Sequence, residues 1–196
     1  MLKEILKKHH IILASGSPRR HQFFKEMDIP FTVGNRPIKE DYPEILKGAE
    51  ITDYLSELKS KVFLRELNEN DILITSDTIV WHDNEALGKP GTTTEAFEML
   101  ELLSGKTHQV ITSVTFTTTT IQKTINCTTA VTFKSLSNAE IDYYIRECNP
   151  LDKAGAYGIQ EWIGLIGITH IEGSYFNVVG LPTHLVYKTL IEIASQ

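Results

Sequence analysis

The run His9-His10-Ile11-Ile12-Leu13-Ala14-Ser15-Gly16-Ser17-Pro18-Arg19-Arg20 constrains this chain more than any other segment. Its apolar stretch, Ile11 to Ala14, suits a short buried strand and is too brief for a membrane span or a signal-peptide core. Ser17 then suits a helix N-cap, and Pro18 the first helical position, where its missing N–H costs nothing. A buried strand feeding straight into a helix commits the chain to strands and helices packed in layers. Arg19 and Arg20 fall in the first helical turn, the end at which the helix dipole disfavours cations. With Gly16, the hydroxyls of Ser15 and Ser17, and free backbone N–H groups beside them, that helix start reads as an anion site for phosphate. The plainer alternative is a solvated arginine pair on a surface helix.

The alternation continues along the chain. A helix over 18–27 stops before Ile29-Pro30, Phe31 to Val33 form a short strand, and a polar loop with Pro37 and Pro43 runs from Gly34 to Gly48. The spacing predicts a helix over 52–67 with Leu55, Leu58 and Val62 on its buried face and Phe63 at the margin. Residues 71–81 read as a strand, followed by a turn at His82-Asp83-Asn84-Glu85. Thr92 and Glu95 have capping-box spacing ahead of a helix that ends at Ser104-Gly105; Ser137 and Glu140 open another that runs to Cys148. Between them, Thr-rich runs over 107–118 and 121–134 suit a partly exposed antiparallel hairpin. Ile163 to His170 and Phe176 to Val179 read as strands, and Pro182 to Ala194 as a closing helix. This interleaving predicts an α/β fold, a mixed sheet with helices on its faces. At 196 residues the chain fits a single domain, 1–196, with room for two lobes around a central cleft.

The charge balance narrows the partners. A net charge of -6 argues against general attraction to nucleic acid or to an anionic membrane, so a polyphosphate ligand needs local cations and favours a magnesium ion held by acidic residues. Cys127 and Cys148 show no metal-ligand spacing and read as thiols in a reducing compartment, which points to a cytoplasmic protein.

Asp77 is the second informative residue. It interrupts an apolar strand that resumes at Ile79-Val80, and a carboxylate there must be paired, hydrogen-bonded or metal-bound. It suits a metal ligand or a general base toward water; the alternative is a strand-end residue capping a turn. Glu40 and Asp41 each offer a second hard oxygen for magnesium, although an acidic pair in a loop is commonly just solvated. Lys59 falls at the edge of a buried helix face, where a lysine can simply cover apolar surface, and Lys61 reads as more exposed. Lys89 sits in the turn Leu87-Gly88-Lys89-Pro90, which can aim it into a site or merely turn the chain. The small-residue run Lys153-Ala154-Gly155-Ala156-Tyr157-Gly158-Ile159-Gln160 suits close backbone approach to something flat or anionic, with the Gln160 amide able to read a base edge, or else a tight bend. The histidines lack metal spacing; His108 and His170 read as structural.

Taken together, these segments resemble the Maf family of nucleoside triphosphate pyrophosphatases. The resemblance rests on Leu13-Ala14-Ser15-Gly16-Ser17-Pro18-Arg19-Arg20, Ser76-Asp77-Thr78-Ile79-Val80, Leu87-Gly88-Lys89-Pro90, Leu103 to His108, Asp152 to Gln160 and Asn177-Val178-Val179-Gly180-Leu181-Pro182, in that order, from Ile12 to about Leu190. It implies an elongated mixed sheet with helices on both faces, similar to inosine triphosphatases. It also implies cleavage between the α and β phosphates of a nucleoside triphosphate with a divalent metal, Mg2+ or Mn2+. On that resemblance Asp77 is the proton acceptor, with Lys59 and Lys89 as further catalytic residues, and Glu40 with Asp77 holds the metal. Ser15, Ser17, Arg19, Arg20 and Lys153 are, on the same resemblance, expected to contact the substrate. Arg19, Thr78 and Gln160 match the branch acting on dTTP and UTP, with modified pyrimidine nucleotides as further candidates. The 7-methyl-GTP branch carries Trp, Gln and Glu at those positions, and an aromatic ring suits a cationic purine. Glu161-Trp162 departs from the glycine-containing turn usual after Gln160. The alternatives are 7-methyl-GTP pyrophosphatase activity and a non-catalytic nucleotide-binding inhibitor of septum formation. A homodimer is compatible with the resemblance.

Overall fold

The computed structural model describes residues 2–195. In chain order, α1 (Leu2–Ile5), β1 (His10–Leu13), α2 (Pro18–Glu26), β2 (Thr32–Val33), α3 (Ala49–Lys61) and β3 (Asp71–His82) come first. Then follow β4 (Glu85–Leu87), α4 (Thr93–Leu103), β5 (Thr107–Thr117), β6 (Gln122–Phe133) and α5 (Asn138–Cys148). The chain closes with α6 (Trp162–Gly167), β7 (Ile168–Glu172), α7 (Tyr175–Val179) and α8 (Thr183–Ala194). The strands form a mixed seven-stranded sheet in the order β2-β1-β3-β5-β6-β7, with β4 paired to β3 and helices on both sides. β1 runs parallel to β2 and to β3, with Leu13 opposite Val33 and Ile74. Parallel neighbours need crossover connections, and α2 and α3 supply them. β4 on β3 and β7 on β6 are antiparallel.

The chain divides into two compact units. The first comprises the residues up to Asp77, Thr112–Cys127 and those from Gly180 on; the second comprises Thr78–Ile111 and Thr128–Val179. In the first, Leu13, Phe24, Ile51, Ile72, Ile74 and Leu190 are buried at 2 % exposure or less. In the second, the core is Leu100, Leu103, Val131, Phe133, Ile141, Tyr144 and Ile163 with their neighbours.

The helix over 52–67 is shorter than expected, and of its expected buried face Leu55 and Phe63 are buried while Leu58 is only partly so. The helix covers Ala49–Lys61, and Val62 is 41 % exposed rather than buried. The buried stripe is Ile51 and Leu55 together with Thr52, Ser56 and Ser60. Those hydroxyls recur every four residues and meet the sheet's own hydroxyls: Thr52 Oγ1 lies 2.6 Å from Ser113 Oγ, and Ser56 Oγ 2.8 Å from Thr115 Oγ1. Ser60 Oγ accepts from Gln122 Nε2 at 3.0 Å. Helix positions four apart rise about 6 Å and alternate strand positions about 6.6 Å, so the two rows keep step. An apolar-periodicity reading misses a helix face that is buried through paired hydroxyls.

One expected strand, Phe176 to Val179, is helical, and another, Ile163 to His170, is helical up to Gly167 and strand only from Ile168. Residues 162–167 form α6 before β7 begins, because Leu165 is 80 % exposed while Ile163 and Gly167 are buried, a helical rather than alternating pattern. Gly164 permits this: a Cβ there would lie 1.9 Å from the Ile159 carbonyl oxygen. Residues 175–179 form α7, anchored by buried Asn177, whose amide donates to Val110 O and to Thr129 Oγ1, each at 3.0 Å. Both capping signals hold. Thr92 Oγ1 accepts the Glu95 N–H, and Ser137 with Glu140 forms a complete capping box. Ser17 is the N-cap residue of α2, but its side chain makes no cap bond; instead Ser15 Oγ accepts the Ser17 N–H at 3.2 Å.

Candidate active site

The first unit gathers most of the charged residues singled out in the sequence around one stretch of β3. Asp77 is 7 % exposed. Lys59, from α3, donates to Asp77 Oδ1 at 2.6 Å and lies 2.9 Å from Glu40 Oε1 in the polar loop. Its side chain is 19 % exposed, so the ammonium sits inside the cluster while neighbouring Lys61 is exposed. The strand alternation accounts for the pairing: Thr75 and Asp77 share a face of β3, and Thr75 Oγ1 donates to the Ser56 carbonyl of α3 at 2.7 Å. The carboxylate that had to find a partner has found a lysine, and that lysine binds a second carboxylate.

Arg20 approaches the same strand from α2. Its guanidinium donates to Ser76 O at 3.2 Å, to Gly180 O at 2.9 Å and to Ser15 Oγ at 3.4 Å. Burial pushes its pKa down to about 10, with Asp77 and Glu40 opposing the drop and Arg19 adding to it. The Pro18-Arg19-Arg20 helix start and the Asp77 carboxylate therefore belong to one cluster. Much of Arg20's donor capacity goes to protein oxygens that bind β1, β3 and the lead-in to α8 together. Ser15 is buried, and its carbonyl accepts from His21 Nε2 at 2.6 Å.

Ser76 was not singled out in the sequence. Its carbonyl accepts from Arg20 and lies 3.5 Å from Lys59 Nζ, while its buried hydroxyl has no hydrogen-bond partner among the described residues. Its small polar side chain beside Asp77 was the available signal. Asp41 pairs with Lys39 on the surface, 2.5 Å apart, and stays out of the cluster. Among the described residues, no group of three or more His, Cys, Asp or Glu converges as a metal site.

The second unit holds the remaining candidates. Thr78 follows Asp77 on β3. Lys89 is exposed, and the turn before it accepts the Gly155 N–H on Gly88 O at 3.0 Å, so the Gly88-Lys89 turn and the Lys153–Gln160 run lie together. Lys153 is buried between two carboxylates, 2.6 Å from Asp152 Oδ1 and 3.0 Å from Glu161 Oε1. Gln160 is exposed. His108 is 2 % exposed, lies 2.7 Å from the Tyr157 hydroxyl and stacks on Phe133, but its Nδ1 has no partner among the described residues. Cys127 and Cys148 are free thiols. Among the described residues, no helix is long and apolar enough to cross a membrane.

Known proteins match along the whole chain. The chain is 61 % identical over 196 residues to the dTTP/UTP pyrophosphatase of Christiangramia forsetii, covering 100 % of both. It is 57 % identical over 190 residues to the dTTP/UTP pyrophosphatase of Flavobacterium johnsoniae, covering 97 % of this chain and 98 % of that one. Against that of Phocaeicola vulgatus the identity is 50 % over 188 residues, covering 95 % and 97 %. Among solved structures, the Staphylococcus aureus Ham1 protein aligns with a TM-score of 0.47 and 14 % identity, covering 63 % of this chain and 71 % of that one. A family model described as Maf-like protein matches residues 10–193. A match of that extent takes in both units and every charged residue of the Asp77 cluster, and the chain belongs to the Maf-like protein family.

Proposed function

We propose that this chain hydrolyses dTTP and UTP to the nucleoside monophosphate and pyrophosphate. The observation that carries the reading is the cluster of a buried carboxylate, Asp77, held at 2.6 Å by Lys59, which also binds Glu40. Its support is the 50–61 % identity to three proteins named dTTP/UTP pyrophosphatase. Asp77 orients a water and takes its proton as that water attacks the α-phosphorus. Lys59 fixes the carboxylate's direction and offsets charge building on the departing pyrophosphate. Arg20 keeps the Ser15-to-Ser17 segment against β3, and the α2 start with Arg19 receives phosphate oxygens. Lys89, Thr78 and Gln160 take their roles from the family resemblance: Lys89 toward pyrophosphate, Thr78 and Gln160 toward the pyrimidine.

A divalent metal fits the donor set. Glu40 and Asp77 supply two hard carboxylate oxygens, which matches what magnesium takes from a protein when phosphates and water complete its shell. Mg2+ or Mn2+ bound there would neutralise charge on the phosphate oxygens. The chain is read as a cytoplasmic enzyme with nucleoside triphosphate as its partner.

A nucleotide panel scored for pyrophosphate, with and without magnesium, tests the proposal. Release from dTTP and UTP ahead of purine triphosphates is expected. Preference for 7-methyl-GTP would move the chain to the other branch, and binding without turnover would make it a nucleotide sensor.

A further inference from the structure

The turn from Lys153 to Gln160 is built to present one side chain. Gly155, Ala156, Tyr157, Gly158 and Ile159 are all buried, and Gln160 is exposed. Two consecutive residues, Gly155 and Ala156, adopt positive φ (66° and 58°), a conformation that an alanine keeps only when its surroundings impose it. Those surroundings include a buried hydrogen-bond clamp. Tyr144, on α5 and 0 % exposed, donates its hydroxyl to Glu161 Oε2 and accepts the Gly158 N–H at 3.0 Å. The other oxygen of Glu161 pairs with Lys153 at 3.0 Å. Glu161 thus ties the first residue of the turn to the residue just past its end, and Tyr144 ties the middle to α5. The packing is close: a Cβ on Gly158 would lie 2.9 Å from Glu161 Cδ and 3.1 Å from Lys153 Cε. Burial and the Glu161 carboxylate both push the Tyr144 pKa up, which keeps the phenol a donor.

We propose that Tyr144 and Glu161 are positioning residues that hold the Lys153–Gln160 turn so that Gln160 meets the nucleobase, and that they act on substrate affinity rather than on the chemical step. This rests on the proposed pyrimidine triphosphatase reading, in which Gln160 contacts the base. It also gives Glu161, the residue that departs from the family turn, a task of its own.

Removing the Tyr144 hydroxyl strands the buried Gly158 N–H and deprives Glu161 of a donor, so the turn relaxes without touching Asp77. The test is pyrophosphate release from dTTP by the full chain, comparing wild type, Tyr144→Phe, Gln160→Ala and the double variant. Tyr144→Phe should raise KM about tenfold with kcat within about twofold, as a lost binding contact does. Gln160→Ala should do the same, and the double variant should be no worse than Gln160→Ala alone, because both act through one contact. Glu161→Ala should follow Tyr144→Phe, while Glu161→Gln, which keeps an acceptor for the phenol, should restore most of the affinity. This pair carries the test if Tyr144→Phe fails to fold by circular dichroism. An unchanged KM in Tyr144→Phe, a loss confined to kcat, or penalties that multiply in the double variant would overturn the positioning role. A wild type that releases no pyrophosphate from dTTP or UTP would instead remove the function on which it rests. Gln160→Ala at wild-type KM would remove the base contact.

Discussion

His108 makes a separable contribution to the acid stability of this protein. The side chain is 2 % exposed, its Nε2 faces the Tyr157 hydroxyl at 2.7 Å, and its Nδ1 is buried with no partner among the described residues. A charged imidazole is costly there: burial, with the nearby His82 adding to it, pushes the pKa down from 6.5 to about 4. The unfolded chain takes up the proton first as pH falls, so stability from the neutral form is complete above 6.5 and drains away toward 4. Linkage between those two values gives a loss of about 2 kcal/mol from pH 8 to pH 5 for this group alone. Replacing His108 by Gln removes the titration and keeps an amide near Tyr157. Urea unfolding of both proteins across pH 8 to 5 isolates the term, because other titrating groups cancel in the difference. The two stability curves should converge by about 2 kcal/mol toward pH 5. Parallel curves would show that His108 titrates in the native protein as it does in the unfolded chain.

Other perturbations follow from single contacts. Asp77→Asn should lower pyrophosphate release about a thousandfold, within the range of general-base losses, while equilibrium dialysis still detects dTTP binding; wild-type turnover would dismiss Asp77 as the base. Gly155→Ala puts a Cβ 2.6 Å from Val80 Cγ2 at φ +66°. That combination should cost about 2–4 kcal/mol in urea unfolding, and a loss under about 0.5 kcal/mol would contradict the packing. Ser137→Ala removes the side-chain half of the α5 capping box and should cost about 1 kcal/mol; an unshifted urea midpoint would mean that the cap contributes nothing.

Much of the architecture was legible because its signals are local. The strand-to-helix switch at Gly16 to Pro18, the capping spacings at Thr92 and Ser137, and the turn at His82 to Glu85 each depend on residues within one turn of one another. The failures share a cause. Leu165 and Phe176 look like strand residues until neighbouring segments decide which side of each can be buried. Thr52, Ser56 and Ser60 look like surface until Ser113, Thr115 and Gln122 arrive to pair with them.

By itself the sequence determined that a carboxylate must lie inside an apolar strand and that cations must stand at a helix start, since burial cost and dipole sign follow from residue type and short-range order. Only the tertiary structure decided who answers each charge. Lys59 reaches Asp77 from 18 residues away, Arg20 is drawn to a strand carbonyl 56 residues on, and Glu161 finds the phenol of Tyr144 across 17. Electrostatic pairing is set by distance in space, and that distance exists only once the helices have packed on the sheet.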